Sequence, residues 1–186
     1  MPFTETGFPG LYVFEPVVFE DARGYFYESY NYKVFLTQGL KDDYVQDNQS
    51  RSLYGVVRGL HYQLEPYAQT KLVRALSGRI LDVAVDIRKG SPTYGKYFSI
   101  ELSGDNKKQL YIPKGFAHGF AVLSETAEVL YKCDAFYNKA SEAGLIFNDP
   151  LLAIDWKIPE GDVIVSDKDM VLPQLRDCKN NFSFEG

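Results

Sequence analysis

The 186-residue chain contains only two histidines and two cysteines, and this scarcity excludes several classes of protein. Cys133 and Cys178 are too few and too far apart for a disulfide framework or a zinc site, so we expect both thiols to be free and reduced. His61 and His118 form no His-x-His pair and lie far apart, which makes them a weak ligand set for iron, manganese or zinc. The sequence therefore predicts no metal site.

Long apolar runs, a basic N-terminal leader and an excess of positive charge are also absent. No segment approaches the roughly 18 apolar residues of a membrane helix, so we expect a cytoplasmic protein with no membrane partner. The 20 Lys and Arg against 25 Asp and Glu give a net charge of −5, which argues against a nucleic-acid polymer as partner. No glycine-rich phosphate loop of the Walker or dinucleotide type is present, so side chains must hold any phosphate.

Aromatic residues are abundant, with 14 Tyr and 13 Phe, and these side chains fit pleated sheets better than helices. The clearest strand signal lies at residues 79–88, where Leu81, Val83 and Val85 alternate with the residues between them in period two. Turn residues separate this run from the other predicted strands. These lie at residues 11–16, 25–30, 45–50, 56–63, 71–76, 97–102, 109–112, 119–123 and 128–136.

Many short strands with almost no helix predict an all-β fold of the sandwich, jelly-roll or barrel type, in one domain spanning residues 1–186. Short helices are predicted only at residues 32–38 and 149–153. From residue 158 onward the strand alternation fades, so the last part of the chain is predicted to run as an excursion over the barrel.

The surroundings of His61 are open, because Gly59 lies two residues before it on the same strand face. A pocket histidine and a structural, hydrogen-bonded histidine both fit this pattern. His118, flanked by glycine and aromatic residues, fits the structural role better. Arg58 lies three positions before His61, so a regular strand would point the two side chains to opposite faces unless a bulge or strand end occurs at Gly59.

Other polar residues also permit two interpretations. Gln46, Asn48 and Ser50 share one strand face, which lines a pocket or meets solvent. The segment at residues 166–169 is expected to be a solvated charged loop. Tyr131 and Tyr137 are ordinary packing residues unless other groups hold a phenol in place as a proton donor.

In their order along the chain, these signals resemble the dTDP-4-dehydrorhamnose 3,5-epimerase family of nucleotide-sugar enzymes. The matching motifs spread over most of the chain, which is more specific than any single motif. They are the segments at residues 19–28, 46–50, 55–63, 71–74, 82–88, 112–120 and 166–169.

The resemblance implies a cupin-like jelly roll that forms a homodimer and holds a pocket inside the barrel, with no metal and no cofactor. The substrate would be a dTDP-4-keto-6-deoxy sugar, dTDP-4-dehydro-6-deoxy-D-glucose. Inversion at C3 and C5 would convert it to dTDP-4-dehydro-L-rhamnose.

The resemblance also implies roles for individual residues. By position, His61 is the proton acceptor, Asp169 its carboxylate partner and Tyr131 the proton donor, while Lys71 lies near the C4 oxygen. Some contacts near the N-terminus come from the partner subunit. The residues expected to bind the substrate are Arg23, Glu28, Gln46, Asn48, Arg58, His118, Tyr137, Glu142 and Lys168.

These residue types suit the chemistry. Removing a hydrogen beside a ketone needs a base poised near neutral pH, and histidine, with an ordinary pKa of about 6.5, is such a base. A carboxylate partner fixes the tautomer of its ring, and a lysine stabilises the enolate oxygen. Inversion then requires a proton from the opposite face.

Three alternatives remain open at the level of sequence. The chain is a related mono-epimerase that inverts one carbon only, a 3,4-ketoisomerase, or a non-catalytic cupin that binds a carbohydrate or nucleotide.

Overall fold

The computed structural model describes residues 2–185, and most of them lie in or between short antiparallel strands. Two short α-helices are α1 (Tyr32–Thr37) and α2 (Asp167–Met170). The strands are β1 (Phe3–Glu5), β2 (Tyr12–Phe14), β3 (Phe19–Asp21), β4 (Gly24–Phe26), β5 (Gln46–Leu53), β6 (Val57–Gln63), β7 (Lys71–Ser77), β8 (Arg79–Asp86), β9 (Tyr97–Ser103), β10 (Gln109–Ile112), β11 (Phe116–Val122), β12 (Thr126–Cys133) and β13 (Glu142–Gly144).

The strands form two main sheets and one separate hairpin. The six-stranded sheet has the order β1-β2-β10-β7-β12-β5, and the five-stranded sheet has the order β13-β6-β11-β8-β9. Strands β3 and β4 pair only with each other among the described residues. The predicted all-β jelly roll is confirmed; the single domain over residues 1–186 stays a prediction.

The alternation in β8 explains how the core is divided. Ile80 and Ala84 point between the two sheets, where they pack with Leu110 and Val129. The intervening side chains, such as Val83, point to the other face. Each fully buried aliphatic side chain of this kind stabilises the fold by roughly 1.5–3 kcal/mol, so both faces of the five-stranded sheet contribute.

The C-terminal part of the chain covers that outer face. Leu145, Leu152, Trp156 and Phe182 pack on it, and the Trp156 indole Nε1 donates to the carbonyl of Phe147 at 2.8 Å. The predicted excursion is therefore present, although it begins before residue 158.

Two sequence-based predictions of secondary structure are wrong in part. Residues 149–153 form a turn rather than a helix, because Asp149 precedes a proline and its carboxylate accepts the Leu151 amide at 2.8 Å. The predicted strand at residues 25–30 ends at Phe26.

A register shift in the pairing of β6 with β11 brings Arg58 and His61 to the same cavity. His118 pairs with His61, but Phe120 pairs with Arg58, so one residue of β6 is extra at this point. Gly59 lies at the shift with φ +109°, and a Cβ there would lie 2.6 Å from the His118 carbonyl oxygen. Only glycine fits, which resolves the parity conflict in the sequence.

Two further features of the structure concern the cysteines and the length of the helices. Cys133 and Cys178 are free. Within residues 2–185, no helix is both long and apolar enough to span a membrane. The cytoplasmic location and the homodimer stay predictions.

Candidate active site

A cavity of about 760 Å³ opens between the two main sheets, and polar side chains supply much of its wall. Both sheets and helix α2 contribute to it, so residues far apart in sequence converge. Its lining includes the predicted residues Gln46, Asn48, Arg58, His61, Lys71, His118, Tyr131, Tyr137, Glu142, Lys168 and Asp169.

His61 and Asp169 form a hydrogen-bonded pair on one wall. The His61 Nε2 lies 2.7 Å from Asp169 Oδ1, and Asp169 Oδ2 accepts the Gly59 amide at 3.2 Å. Burial raises the pKa of the Asp169 carboxyl, but its hydrogen bonds with His61 and the Gly59 amide, together with the charge of Lys168, hold that pKa below its usual value. An ionised carboxylate can only accept, so Nε2 carries the proton and Nδ1 keeps a free lone pair.

Helix α2 places Asp169 in this position, contrary to the expected solvated loop. Ser166 caps the helix: its side chain accepts the Asp169 amide at 3.2 Å. The resulting turn buries Asp169 and leaves Lys168 at the surface.

Tyr131 lies on β12 of the other sheet, facing the same cavity. Burial raises the pKa of its phenol, which therefore stays protonated at neutral pH. Its ring centroid is 6.4 Å from that of His118 and 5.7 Å from the Lys71 ammonium.

Lys71, on β7, is 9% exposed, and its ammonium donates to the His61 carbonyl at a long 3.5 Å. Burial lowers its pKa, while the carboxylates of Asp82 and Glu142 act in the opposite direction. The ammonium is thus a buried donor with little hydrogen bonding of its own, next to the cavity.

His118 is both a structural, hydrogen-bonded histidine and a residue of the cavity wall. It is buried, and its Nε2 lies 2.8 Å from Asp82 Oδ1, as a structural histidine would be, yet it also lines the cavity. Burial lowers its pKa, with Asp82 opposing the shift.

The polar row of β5 faces the cavity rather than solvent. Gln46, Asn48 and Ser50 all contribute to the lining. Gln46 donates to Asn48 Oδ1 at 3.0 Å and accepts the Tyr137 amide at 3.0 Å. The side chains of Gln46 and Asn48 are therefore held in place by hydrogen bonds.

Glu142 joins two groups at the cavity wall. It accepts the Tyr137 hydroxyl at 2.9 Å and the Lys168 ammonium at 2.6 Å. Burial raises the pKa of its carboxyl, but these two partners keep that pKa below its usual value. An exposed aromatic ring and a cation are thereby held close together.

Arg23 and Glu28 do not line this cavity within one subunit. Arg23 lies in the β3–β4 hairpin with its side chain 90% exposed, and its Nε donates to Asp21 Oδ2 at 3.1 Å. Glu28 is exposed and accepts from Asn31 at 3.1 Å. Their predicted binding roles stay predictions.

Two residues that support the site, Gln63 and Asp82, were not predicted from the sequence. Gln63 Oε1 accepts the Asn138 amide at 2.6 Å, which fixes the loop that carries Tyr137. The Asp82 carboxylate is hydrogen-bonded to His118 Nε2 and fixes the orientation of that ring. Gln63 shares the predicted face of His61, and this alternation was the signal available for it. Within residues 2–185, no three acidic, histidine or cysteine side chains cluster as metal ligands would.

A jelly roll whose interior cavity carries a histidine of one sheet, paired with a helix aspartate, and a protonated tyrosine of the other sheet is a cupin-like enzyme built for acid–base chemistry. The family model described as dTDP-4-dehydrorhamnose 3,5-epimerase matches residues 5–177. The chain belongs to this family.

Individual relatives agree with the family match. A dTDP-4-dehydrorhamnose 3,5-epimerase from Shigella flexneri is 54% identical, with 91% of this chain and 93% of the relative covered. The crystal structure of the enzyme of that name from Elizabethkingia anophelis NUHP1 is 56% identical with a TM-score of 0.91, covering 94% of this chain and 96% of that one. A dTDP-6-deoxy-D-glucose-3,5-epimerase from Legionella pneumophila, solved with dTDP-4-keto-L-rhamnose, is 48% identical with a TM-score of 0.90, covering 94% and 93%.

Proposed function

We propose that this chain converts dTDP-4-dehydro-6-deoxy-D-glucose to dTDP-4-dehydro-L-rhamnose by inverting C3 and C5. The observation that carries the proposal is the placement of His61 and Tyr131 on opposite sheets, facing one cavity. A sugar ring between them meets a base on one face and an acid on the other, which is the arrangement that inversion requires.

The first step is removal of a proton from carbon. His61 Nδ1 takes the hydrogen beside the C4 ketone, because Nε2 is committed to Asp169. The C–H electron pair moves into the C3–C4 or C4–C5 bond, and the carbonyl becomes an enolate. The buried Asp169 carboxylate stabilises the imidazolium that forms.

The enolate charge develops on the C4 oxygen. Lys71 supplies a cation in a water-poor part of the cavity, where a charge is worth more than in water. C3 and C5 are both adjacent to this one carbonyl, so a single cation serves both inversions.

The second step delivers a proton to the opposite face. The Tyr131 phenol donates a proton to the carbon as the enolate collapses back to the ketone. The phenolate left behind takes a proton from solvent and the His61 imidazolium returns one to it, so both groups are restored for the second inversion. Because burial raises the pKa of Tyr131, its phenol still carries its proton when the enolate forms.

The wall near Glu142 suits the nucleotide end of the substrate. Tyr137 is 55% exposed and lines the cavity, so its ring can stack on a base, while Lys168 and Arg58 provide positive charge for a diphosphate. Gln46 and Asn48 offer amides to the sugar hydroxyls.

The homodimer belongs to the same proposal. The β3–β4 hairpin exposes Phe19 and Phe26 at 64% and 68%, an apolar surface that a second copy of this chain would cover. The hairpin also carries Arg23, which no cavity residue of its own subunit engages. Docking of the hairpin on a partner would complete the partner's diphosphate site.

The reaction is tested by incubating the enzyme with the dTDP-4-keto sugar in heavy water and locating deuterium by NMR. We expect label at both C3 and C5, with L-rhamno product. Label at one carbon only identifies a mono-epimerase, and tight binding without label identifies a binding module. The His61→Ala variant controls for spontaneous exchange.

Site sharing across the dimer predicts complementation. Arg23→Ala is expected to raise KM by roughly tenfold or more, because a cation on the diphosphate is lost, and His61→Ala is expected to be nearly inactive. Co-expressed as a heterodimer, the two chains form one intact site, which regains the native KM. Kinetics at low substrate concentration measure this.

The control for complementation is Arg176→Ala, which removes another exposed arginine paired with a neighbouring aspartate, Asp177, away from the cavity lining. It is expected to leave KM unchanged. If the Arg23→Ala and His61→Ala heterodimer is no better than the sum of its parents, Arg23 acts within its own subunit or not at all.

A further inference from the structure

One carboxylate oxygen of Asp82, near the cavity, is buried without a hydrogen-bond partner among the described residues. The residue is fully buried on β8, and its Oδ1 lies 2.8 Å from His118 Nε2. Its Oδ2 is also buried and has no hydrogen-bond partner among the described residues. An unpaired buried carboxylate oxygen costs free energy, so its retention requires a compensating interaction.

The neighbouring cation without an ion-pair partner among the described residues is the Lys71 ammonium. It projects from the facing sheet and makes one long hydrogen bond, to the His61 carbonyl at 3.5 Å. Burial lowers the pKa of this lysine, and a neutral amine would be a poor stabiliser of an enolate. A negative charge close to Lys71 is therefore needed to keep its side chain protonated.

The other groups that face Lys71 do not supply that charge. Burial raises the pKa of the Cys133 thiol on β12 to about 11, so it is neutral, and Tyr131 is neutral as well. Glu142 on β13 is ionised but already engaged by Lys168. His118 on β11 and His61 on β6 can carry only positive charge.

We propose that Asp82 is a positioning residue: its Oδ1 holds the His118 ring, and its carboxylate charge keeps Lys71 an ammonium ion next to the substrate's C4 oxygen. The role given to the C4 oxygen rests on the proposed function. The electrostatic coupling of Asp82 to Lys71 does not depend on it. Asp82 itself is not part of the cavity wall, so it acts through Lys71 and His118.

The Asp82→Asn variant separates charge from shape. Its amide oxygen still accepts from His118, but the negative charge is gone. Loss of this opposite charge is expected to lower the pKa of Lys71. The basic limb of the kcat profile then moves to lower pH by the same amount, while KM changes little.

Lysine labelled with ¹³C at Cε gives a readout that needs no activity. The Lys71 signal, assigned by its absence in Lys71→Arg, is expected to show an ammonium in the wild type at neutral pH and to titrate at lower pH in Asp82→Asn. The same titration in both proteins overturns the proposal. If Asp82→Asn does not fold, the wild-type signal decides alone: a neutral Lys71 at neutral pH overturns the proposal.

The matched control is Asp149→Asn. Asp149 is equally buried, and its carboxylate accepts two backbone amides, from Leu151 and Leu175, outside the cavity wall. We expect this variant to lose stability without moving the basic limb. A wild type that takes up no deuterium refutes the proposed function, whereas the lysine titration still reports whether Asp82 controls Lys71.

Discussion

Replacement of His61 by alanine is expected to lower kcat by roughly 10²–10⁴-fold, the usual contribution of a general base. The side chain is one-third exposed to the cavity, so its loss leaves no sealed void in the core. The thermal midpoint should therefore stay close to that of the wild type. The measurement is turnover of the dTDP-4-keto sugar, with deuterium uptake as the second readout.

Binding of dTDP provides the control for this variant, because the nucleotide end of the proposed site lies at Tyr137 and Lys168 rather than at His61. Unchanged dTDP affinity with lost turnover localises the defect to the chemical step. Asp169→Asn should behave similarly, because an amide at this position permits the wrong tautomer of the His61 ring. A His61→Ala rate within about tenfold of the wild type would falsify the assignment of the base.

Replacement of Tyr131 by phenylalanine is expected to uncouple exchange from inversion. His61 remains on the other sheet and can still remove a proton and return a deuteron to the same face. Substrate recovered from heavy water should thus carry label at C3 or C5 with its original configuration. Formation of the inverted product should fall by roughly 10²–10⁴-fold, because the acid on the opposite face is missing.

The stereochemistry of the labelled sugar, read by NMR coupling constants, measures this effect. Tyr94→Phe removes a hydroxyl from a tyrosine outside the cavity wall and serves as the control, with inversion at the wild-type rate. Should Tyr131→Phe invert both carbons normally, another group is the proton donor.

The larger strands were predictable because each buries a regular pattern of side chains. Alternation in β8 correctly placed Val83 and Ala84 on opposite faces, and both faces are buried. The three-residue strands β1, β3 and β13 escaped prediction, since so short a run contains no period, and β1 and β3 also stay largely exposed. Their pairing depends on neighbours brought from elsewhere in the chain.

The candidate site was less accessible to sequence reasoning without the family resemblance. The direction of Asp169 depends on the Ser166 cap of a four-residue helix, which no periodicity reveals. The coupling of Asp82 to Lys71 depends on how two sheets face each other. Whether Arg23 reaches a site depends on a second subunit, which lies beyond any pattern within one chain.

The bond between His61 and Asp169 joins positions 108 residues apart. A ribosome adds about 5–20 residues per second, so the histidine emerges several seconds before its carboxylate is made. During that interval the nascent chain has the cavity histidine with neither its fixed tautomer nor the covering of the C-terminal segment. Competence for proton abstraction therefore cannot arise before α2 has been synthesised, when most of the barrel strands have already been made.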